Sequence, residues 1–289
     1  MLITEALKRH QTFSFEIFPP RGELPVEKAL DVAEKLGQCE PDWISVTFSA
    51  GGTGSSMNTA QIAQRIESVV HTSALAHLTC LGSDRRAVHD YVDALTQSGV
   101  QNVLALRGDR GAGREVIDFE HASDLISYLK GLGDRICVGA ACYPEGHLEA
   151  ESFRADIEAL KAKQDAGADF LVTQLFFDNE LFYRFREACV RARIKIPVVA
   201  GIMPFTSTMQ IQRMAFTCGA TIPAQVIKRL AQAGDDKQAQ VRAGIDYAVE
   251  QMLDLASNGV DGLHVYTMNK PEVARAAYEA LKGSGYFGA

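Results

Sequence analysis

Thr12-Phe13-Ser14-Phe15-Glu16-Ile17-Phe18-Pro19-Pro20 is an apolar, β-type run that carries one carboxylate and is stopped by two prolines. A lone carboxylate in apolar surroundings is costly unless it is paired or takes up a proton. A chain that keeps one there reads as a chain that uses the acid. The same layout, an apolar run ending in polar residues, recurs at Ser45-Val46-Thr47, Ala76-His77-Leu78-Thr79, Leu106-Arg107-Gly108-Asp109 and Ala141-Cys142-Tyr143. It returns at Val172-Thr173-Gln174, Gly201-Ile202-Met203 and His264-Val265-Tyr266. Polar groups converging from the ends of many parallel strands describe the active face of a β/α barrel.

Working outward from these runs, strands are expected at Thr12–Phe18, Trp43–Phe48, Leu75–Leu78, Asn102–Leu106, Cys137–Cys142, Phe170–Leu175, Pro197–Ile202 and Leu263–Tyr266. Helical spacing of apolar positions separates them, as in Val26, Ala29, Leu30, Ala33 and Leu36. Arg85–Gln97, Ser123–Leu132, Phe153–Ala166, Glu180–Ala192 and Pro271–Leu281 read the same way. Gly99, Gly133, Gly167 and Gly259 each fall just past such a segment, where a left-handed cap is wanted. Three further helical stretches, Met209–Thr217, Ala224–Ala233 and Lys237–Ser257, precede the last strand. The expectation is one α/β domain over residues 1–289, a (β/α)8 TIM barrel with extra helices between strands seven and eight. An open doubly wound sheet is the weaker alternative.

Composition is that of an ordinary globular chain: 289 residues, 47% hydrophobic and 22% charged, with a net charge of −7. That balance argues against a nucleic-acid binder, which should carry a basic patch. No signal peptide is evident and no apolar run reaches membrane-span length. A cytoplasmic enzyme with no membrane partner is expected. The six cysteines form no C-x-x-C pair and read as reduced structural thiols.

The glycine-rich stretches Gly51–Ser56 and Gly111-Ala112-Gly113 complete neither a dinucleotide fingerprint nor a phosphate loop. They read as loops on the top face. The seven histidines contain no zinc-type pair, so no metal is expected, but His77, His147 and His264 lie at or near strand ends. No nucleophile elbow occurs. Cys142, beside Tyr143 and near His147, is the one candidate for covalent chemistry. Two carboxylates stand out. Glu16 is either a working acid or a core carboxylate tied to a lysine or arginine. Asp109 is either functional or a turn residue paired with Arg107.

The ordered motifs resemble a family. Phe15-Glu16-Ile17-Phe18-Pro19-Pro20-Arg21, Val46-Thr47-Phe48, His77-Leu78-Thr79-Cys80 and Leu106-Arg107-Gly108-Asp109 are followed by Ala141-Cys142-Tyr143-Pro144-Glu145-Gly146-His147 and Thr173-Gln174-Leu175-Phe176-Phe177-Asp178. Gly201-Ile202-Met203-Pro204 and His264-Val265-Tyr266-Thr267-Met268-Asn269 complete the series. Together they resemble the methylenetetrahydrofolate reductases of the short bacterial type, over nearly the whole chain. The resemblance implies FAD as cofactor, NADH or NADPH as co-substrate and a reduced folate as substrate. The implied reaction is reduction of 5,10-methylenetetrahydrofolate to 5-methyltetrahydrofolate, a ping-pong hydride transfer in one-carbon metabolism that feeds methionine synthesis.

Carried over by position, the resemblance implies Glu16, Asp109 and Gln174 as the catalytic set. Glu16 would protonate N10, with apolar neighbours such as Phe15 and Phe18 favouring its protonated form. Asp109 would stabilise the iminium cation and tune the flavin. Flavin contacts are implied for Thr47, His77, Arg107, Gly108, Asp109, His121, Ala122, Tyr143, His147, Asp156 and Lys163. Asp156 would meet ribose hydroxyls and Lys163 the diphosphate. Glu16, Gln174, Tyr266 and Lys270 would meet the folate. Ala159 and Ala162 depart from bacterial members that carry Asn and Arg there, and Lys270 replaces a common arginine. A flavin-free reductase and a non-catalytic folate-binding protein remain as alternatives. A homo-oligomer is the default expectation. No long regulatory extension follows the motifs, so inhibition through one is not expected.

Overall fold

The computed structural model describes residues 1–20, 26–48, 55–109, 117–133 and 136–284. In chain order the elements begin with α1 (Ile3–Leu7), β1 (Thr12–Ile17), α2 (Glu27–Gly37), β2 (Trp43–Val46) and α3 (Ser55–Arg65), which runs into a π-type turn at Ile66–Val70. Then come β3 (Ser73–Thr79), α4 (Arg85–Gln97), β4 (Asn102–Leu106), α5 (Ala122–Gly131), β5 (Cys137–Cys142), α6 (Phe153–Asp165), β6 (Phe170–Thr173) and α7 (Asn179–Arg191). The chain closes with β7 (Val198–Ile202), α8 (Thr208–Cys218), α9 (Ala224–Ala233), α10 (Lys237–Ser257), β8 (Gly262–Tyr266) and α11 (Pro271–Gly283). The strands pair in sequence order as a closed parallel barrel, so the open-sheet alternative is dropped. The seam is β8 on β1, with Ser14 opposite His264 and Glu16 opposite Tyr266.

Strand alternation divides each side chain between barrel interior and helix layer. On β1, Phe13 and Phe15 face outward and meet Tyr278 of α11, with ring centroids 4.9 and 6.4 Å away. Phe15 therefore does not surround Glu16, contrary to the expectation from their adjacency: neighbours along a strand occupy opposite faces. The outer layer continues through Ile17 and the inner face of α2, including Ala33 and Leu36.

The lower interior is apolar. Ile3, Trp43, Leu75, Leu104, Cys137, Phe170, Val172 and Val199 fill it. Helix α1, which periodicity did not flag because it is only five residues long, plugs the bottom; its Ile3 N–H donates to Asn102 Oδ1 at 2.9 Å. Gly139 makes room for this layer, since a Cβ there would lie 2.6 Å from Phe170 Cζ. The expected extra helices are present, and α8, α9 and α10 pack over the ends of strands six and seven. Met203, Phe205, Ile211, Val226 and Tyr247 join in that cluster. The four glycine caps all take positive φ. Strands two and six end earlier than expected: Thr47, Phe48, Gln174 and Leu175 belong to the loops that build the top face. Among the described residues, no helix is long and apolar enough to cross a membrane.

The floor is a packed core rather than a channel. Phe170 is fully buried within it. Phe170→Ala is expected to cost about 3–5 kcal/mol, read as a lower urea midpoint at unchanged slope. A loss below about 1 kcal/mol would contradict the packing.

Candidate active site

Above the apolar floor, the mouth of the barrel opens into a cavity of about 750 Å³, a size suited to a cofactor and substrate. Glu16, Thr47, His77, Arg107, Gly108, Asp109, His121, Ala122, Tyr143, His147, Asp156, Lys163, Gln174 and Tyr266 all line it. Every implied site residue except Lys270 is therefore brought to one cavity. Lys270 lies to one side, in a crevice next to Tyr266, where its Nζ donates to Thr206 Oγ1 at 2.8 Å. Residues 49–54 and 110–116, which hold the glycines of both glycine-rich stretches, lie outside the described residues, as does Arg21.

Glu16 stands at the inner end. Its Oε2 is 3.5 Å from His77 Nε2 and 3.7 Å from His264 Nε2. The carboxyl therefore faces two imidazoles, where a lysine or arginine partner was the bland expectation. Burial pushes the His77 imidazole down to about 4, against the opposing pull of Glu16, so it is uncharged near neutrality. Its Nε2 is buried without a hydrogen-bond partner among the described residues. His264 is held more firmly: Nδ1 lies 2.8 Å from Ser14 Oγ and Nε2 lies 3.3 Å from Ser45 Oγ. Tyr266 packs edge-on against His264 and donates its hydroxyl to the Thr173 carbonyl. Gly201 permits this, because a Cβ there would sit 2.5 Å from both the Tyr266 ring and the Thr173 oxygen.

Gln174 has a fixed orientation. Its Oε1 accepts from Leu175 N–H at 2.8 Å, which leaves the Nε2 donors for the cavity. Asp109 is exposed at the rim. Arg107 pairs with Glu149 at 2.9 Å and not with Asp109, so the turn-pair reading of Asp109 is replaced. The sequence spacing favoured the near acid, but the loop after β5 carries Glu149 across to the guanidinium.

At the far end, α6 supplies Asp156 and Lys163, with Ala155, Ala159 and Ala162 forming a polar-free shelf along the same wall. Asp156 accepts from the His147 N–H at 3.2 Å, and burial raises its carboxyl. Lys163 Nζ donates to the Ala141 carbonyl at 2.8 Å and sits 5.7 Å from the Tyr143 ring centroid. Burial lowers its ammonium, opposed by Asp156. Cys142 is buried beneath, and burial pushes its thiol well up, which removes it as a nucleophile. His121 caps α5 at the rim, its backbone N–H donating to Asp124 at 2.8 Å.

Sequence reasoning noted His264 at a strand end but assigned it no role, and it missed Ser14, Ser45 and Glu149. Period-two alternation was the available signal: Ser14 shares the face of Glu16, and His264 that of Tyr266.

The comparisons with known proteins agree with one another. The family model for methylenetetrahydrofolate reductase matches residues 2–282. The chain is 35% identical to methylenetetrahydrofolate reductase (NADH) 1 of Arabidopsis thaliana, over 89% of this chain and 46% of that protein. It is 33% identical to 5,10-methylenetetrahydrofolate reductase of Escherichia coli K12, over 93% of this chain and 90% of that one. It thus spans about half the length of the plant relatives and most of the bacterial ones. An uncharacterized protein from Clostridium thermocellum that binds two copies of 5-methyl-5,6,7,8-tetrahydrofolic acid has a similar solved fold, with a TM-score of 0.69 at 15% identity and 99% of each chain covered.

The buried histidine sets a pH dependence. The unfolded chain takes up a proton on His77 below its ordinary value of 6.5, and the folded chain resists until about 4. This contribution is absent above 6.5 and destabilises progressively as pH falls through that window, by up to about 3 kcal/mol. His77→Gln is expected to shrink the stability difference between about pH 7 and about pH 4.5, measured by urea unfolding. An unchanged difference would contradict the burial argument.

Proposed function

This chain belongs to the methylenetetrahydrofolate reductase family, and from that premise we propose that it reduces 5,10-methylenetetrahydrofolate to 5-methyltetrahydrofolate with a nicotinamide and a bound flavin. The observation that carries the reading is Glu16: an acid at the inner end of a cofactor-sized cavity, beside an imidazole that burial keeps uncharged. With that imidazole neutral, no cation is fixed on the carboxyl, and Glu16 is assigned to pass a proton to N10 of the folate, opening the five-membered ring to the 5-iminium cation. Asp109 at the rim supplies negative charge to that cation, and the interaction strengthens as substrate excludes water. Gln174, with its amide oxygen already engaged, donates from Nε2 to the folate or the nicotinamide in turn. Tyr266, pinned to Thr173, walls the folate side next to Glu16. Lys270 is assigned to the substrate tail through its neighbouring crevice.

The residues present fit FAD. The orphaned Nε2 of His77 would answer a polar edge of the isoalloxazine ring. Thr47, Gly108, Asp109 and Tyr143 line the same stretch, and Arg107 and Lys163 supply positive charge toward a diphosphate. Asp156, bonded to the His147 N–H, is assigned to the ribose and adenine end, with His121 and Ala122 lining the same cavity. When bound, a flavin would supply hydride relay from the nicotinamide to the folate, and ping-pong kinetics are expected. NADH is the assigned donor, supported by the plant relatives whose names carry it. A second reading, direct transfer without flavin, is favoured by the Ala159 and Ala162 shelf. Flavin at near-stoichiometric occupancy in gently purified protein overturns it.

The test separates the two half-reactions. Glu16→Gln is expected to oxidise NADH with a soluble dye as acceptor at the parent rate. It should lose folate reduction by about 10²–10⁴-fold. Folate turnover at the parent rate would contradict the role of Glu16.

A further inference from the structure

We infer that Thr267 and Asn269, in the turn after β8, are positioning residues that fix the acid Glu16 through its backbone. The inference rests on the reading of Glu16 given above, and it begins from what the acid lacks. Among the described residues its carboxyl has no close hydrogen bond. The nearest polar atoms are the two imidazole nitrogens at 3.5 and 3.7 Å, longer than a good hydrogen bond. Its place in the cavity is therefore set by the main chain that carries it.

That main chain is held on both edges. Just past β2, Thr47 N–H donates to the Ile17 carbonyl at 3.0 Å. From β8 the regular ladder stops at the pairing of Glu16 with Tyr266, after which the two chains part. β1 runs into Pro19-Pro20, which have no N–H to offer, and β8 turns towards α11. The turn supplies what the ladder no longer can. Thr267 donates both its Oγ1–H, at 2.6 Å, and its N–H, at 3.3 Å, to the Glu16 carbonyl. Asn269 then binds Phe18 twice, its Oδ1 accepting from the Phe18 N–H at 3.0 Å and its Nδ2 donating to the Phe18 carbonyl at 2.8 Å. One side-chain amide thus takes the place of a peptide group in the missing ladder rung. The opposed donor and acceptor fix which way the amide points.

This substitution needs an unusual backbone. Met268 and Asn269 both sit at φ 52, a left-handed conformation uncommon for residues with a side chain and rarely kept without a reason. Thr267 Oγ1 also accepts from Asn269 N–H at 3.1 Å, which ties the two clasping residues into one unit. Among the described residues the clasp has no hydrogen bond to Gln174 or to the residues of the α6 wall. It does meet Lys270, whose backbone N–H donates to the Thr267 carbonyl at 2.9 Å, a bond that Thr267→Val and Thr267→Ser both keep. A proton donor displaced by about 1 Å loses rate by as much as about 100-fold.

The test uses Thr267→Val, which keeps the shape and removes the hydroxyl, and Thr267→Ser, which restores it. Asn269→Gly keeps the left-handed turn without the amide and serves as the second variant should Thr267→Val not fold. Thr267→Val and Asn269→Gly are expected to lower kcat for folate reduction about tenfold or more, with KM little changed. NADH oxidation with a soluble dye should stay within about twofold of the parent, and Thr267→Ser should recover the folate rate. A loss shared equally by both reactions, or a parental folate rate in both variants, overturns the inference. Parent protein that fails to reduce the folate defeats the reading of the site instead. The ¹³C resonance of the Glu16 carboxyl, assigned with Glu16→Gln, then decides the clasp without turnover. It should move in Thr267→Val and return in Thr267→Ser, and a fixed resonance overturns it.

Discussion

One carboxyl group inside a closed barrel sets the terms for everything around it. Closure sends alternate side chains of every strand inward, so β1 delivers Thr12, Ser14 and Glu16 to the interior whatever the loops do. An interior filled only with apolar groups would leave that acid unsolvated and unpaired. The barrel answers by layering. Trp43, Leu75, Leu104, Phe170 and Val199 make a dry floor, and Ser14, Ser45, His77, His264 and Tyr266 make a polar layer one step higher. The acid then sits at the boundary, partly exposed to the cavity and flanked by imidazoles rather than by a fixed cation. A lysine or arginine in the same place would have given a fixed ion pair.

The charges at the two ends of the cavity serve different purposes. At the acid end no permanent positive charge lies close among the described residues. At the α6 end Arg107 is engaged by Glu149 and Lys163 by the Ala141 carbonyl. Those partners hold the cations in place, with Glu149 beside Arg107 and Asp156 beside Lys163 balancing their formal charge. The alanine shelf on α6 gives that end shape but no additional grip.

The fold was legible because it rests on short-range rules. Eight apolar runs, alternating with helical spacing and punctuated by Gly99, Gly133, Gly167 and Gly259, specify βα units directly. The extra helices before β8 were equally plain. What escaped was set by distance in space. Adjacency in sequence suggested Phe15 as a neighbour of Glu16 and Asp109 as the partner of Arg107. Strand alternation turns Phe15 outward, and the β5 loop brings Glu149 to Arg107. Ser14 lies 250 residues from His264 and Glu16 lies 251 from Thr267, and only barrel closure makes them neighbours. The site residues themselves came mostly through the family resemblance, and all of them but Lys270 line one cavity.

The central claim is that this cavity serves nicotinamide and folate in turn around one flavin and one acid. An anaerobic visible-absorption titration of the purified protein, adding NADH and then 5,10-methylenetetrahydrofolate, tests it most directly. The account predicts a flavin band that bleaches with NADH and returns with the folate. A protein with no flavin band even after FAD is added, or a bleached band that the folate leaves unchanged, would contradict it.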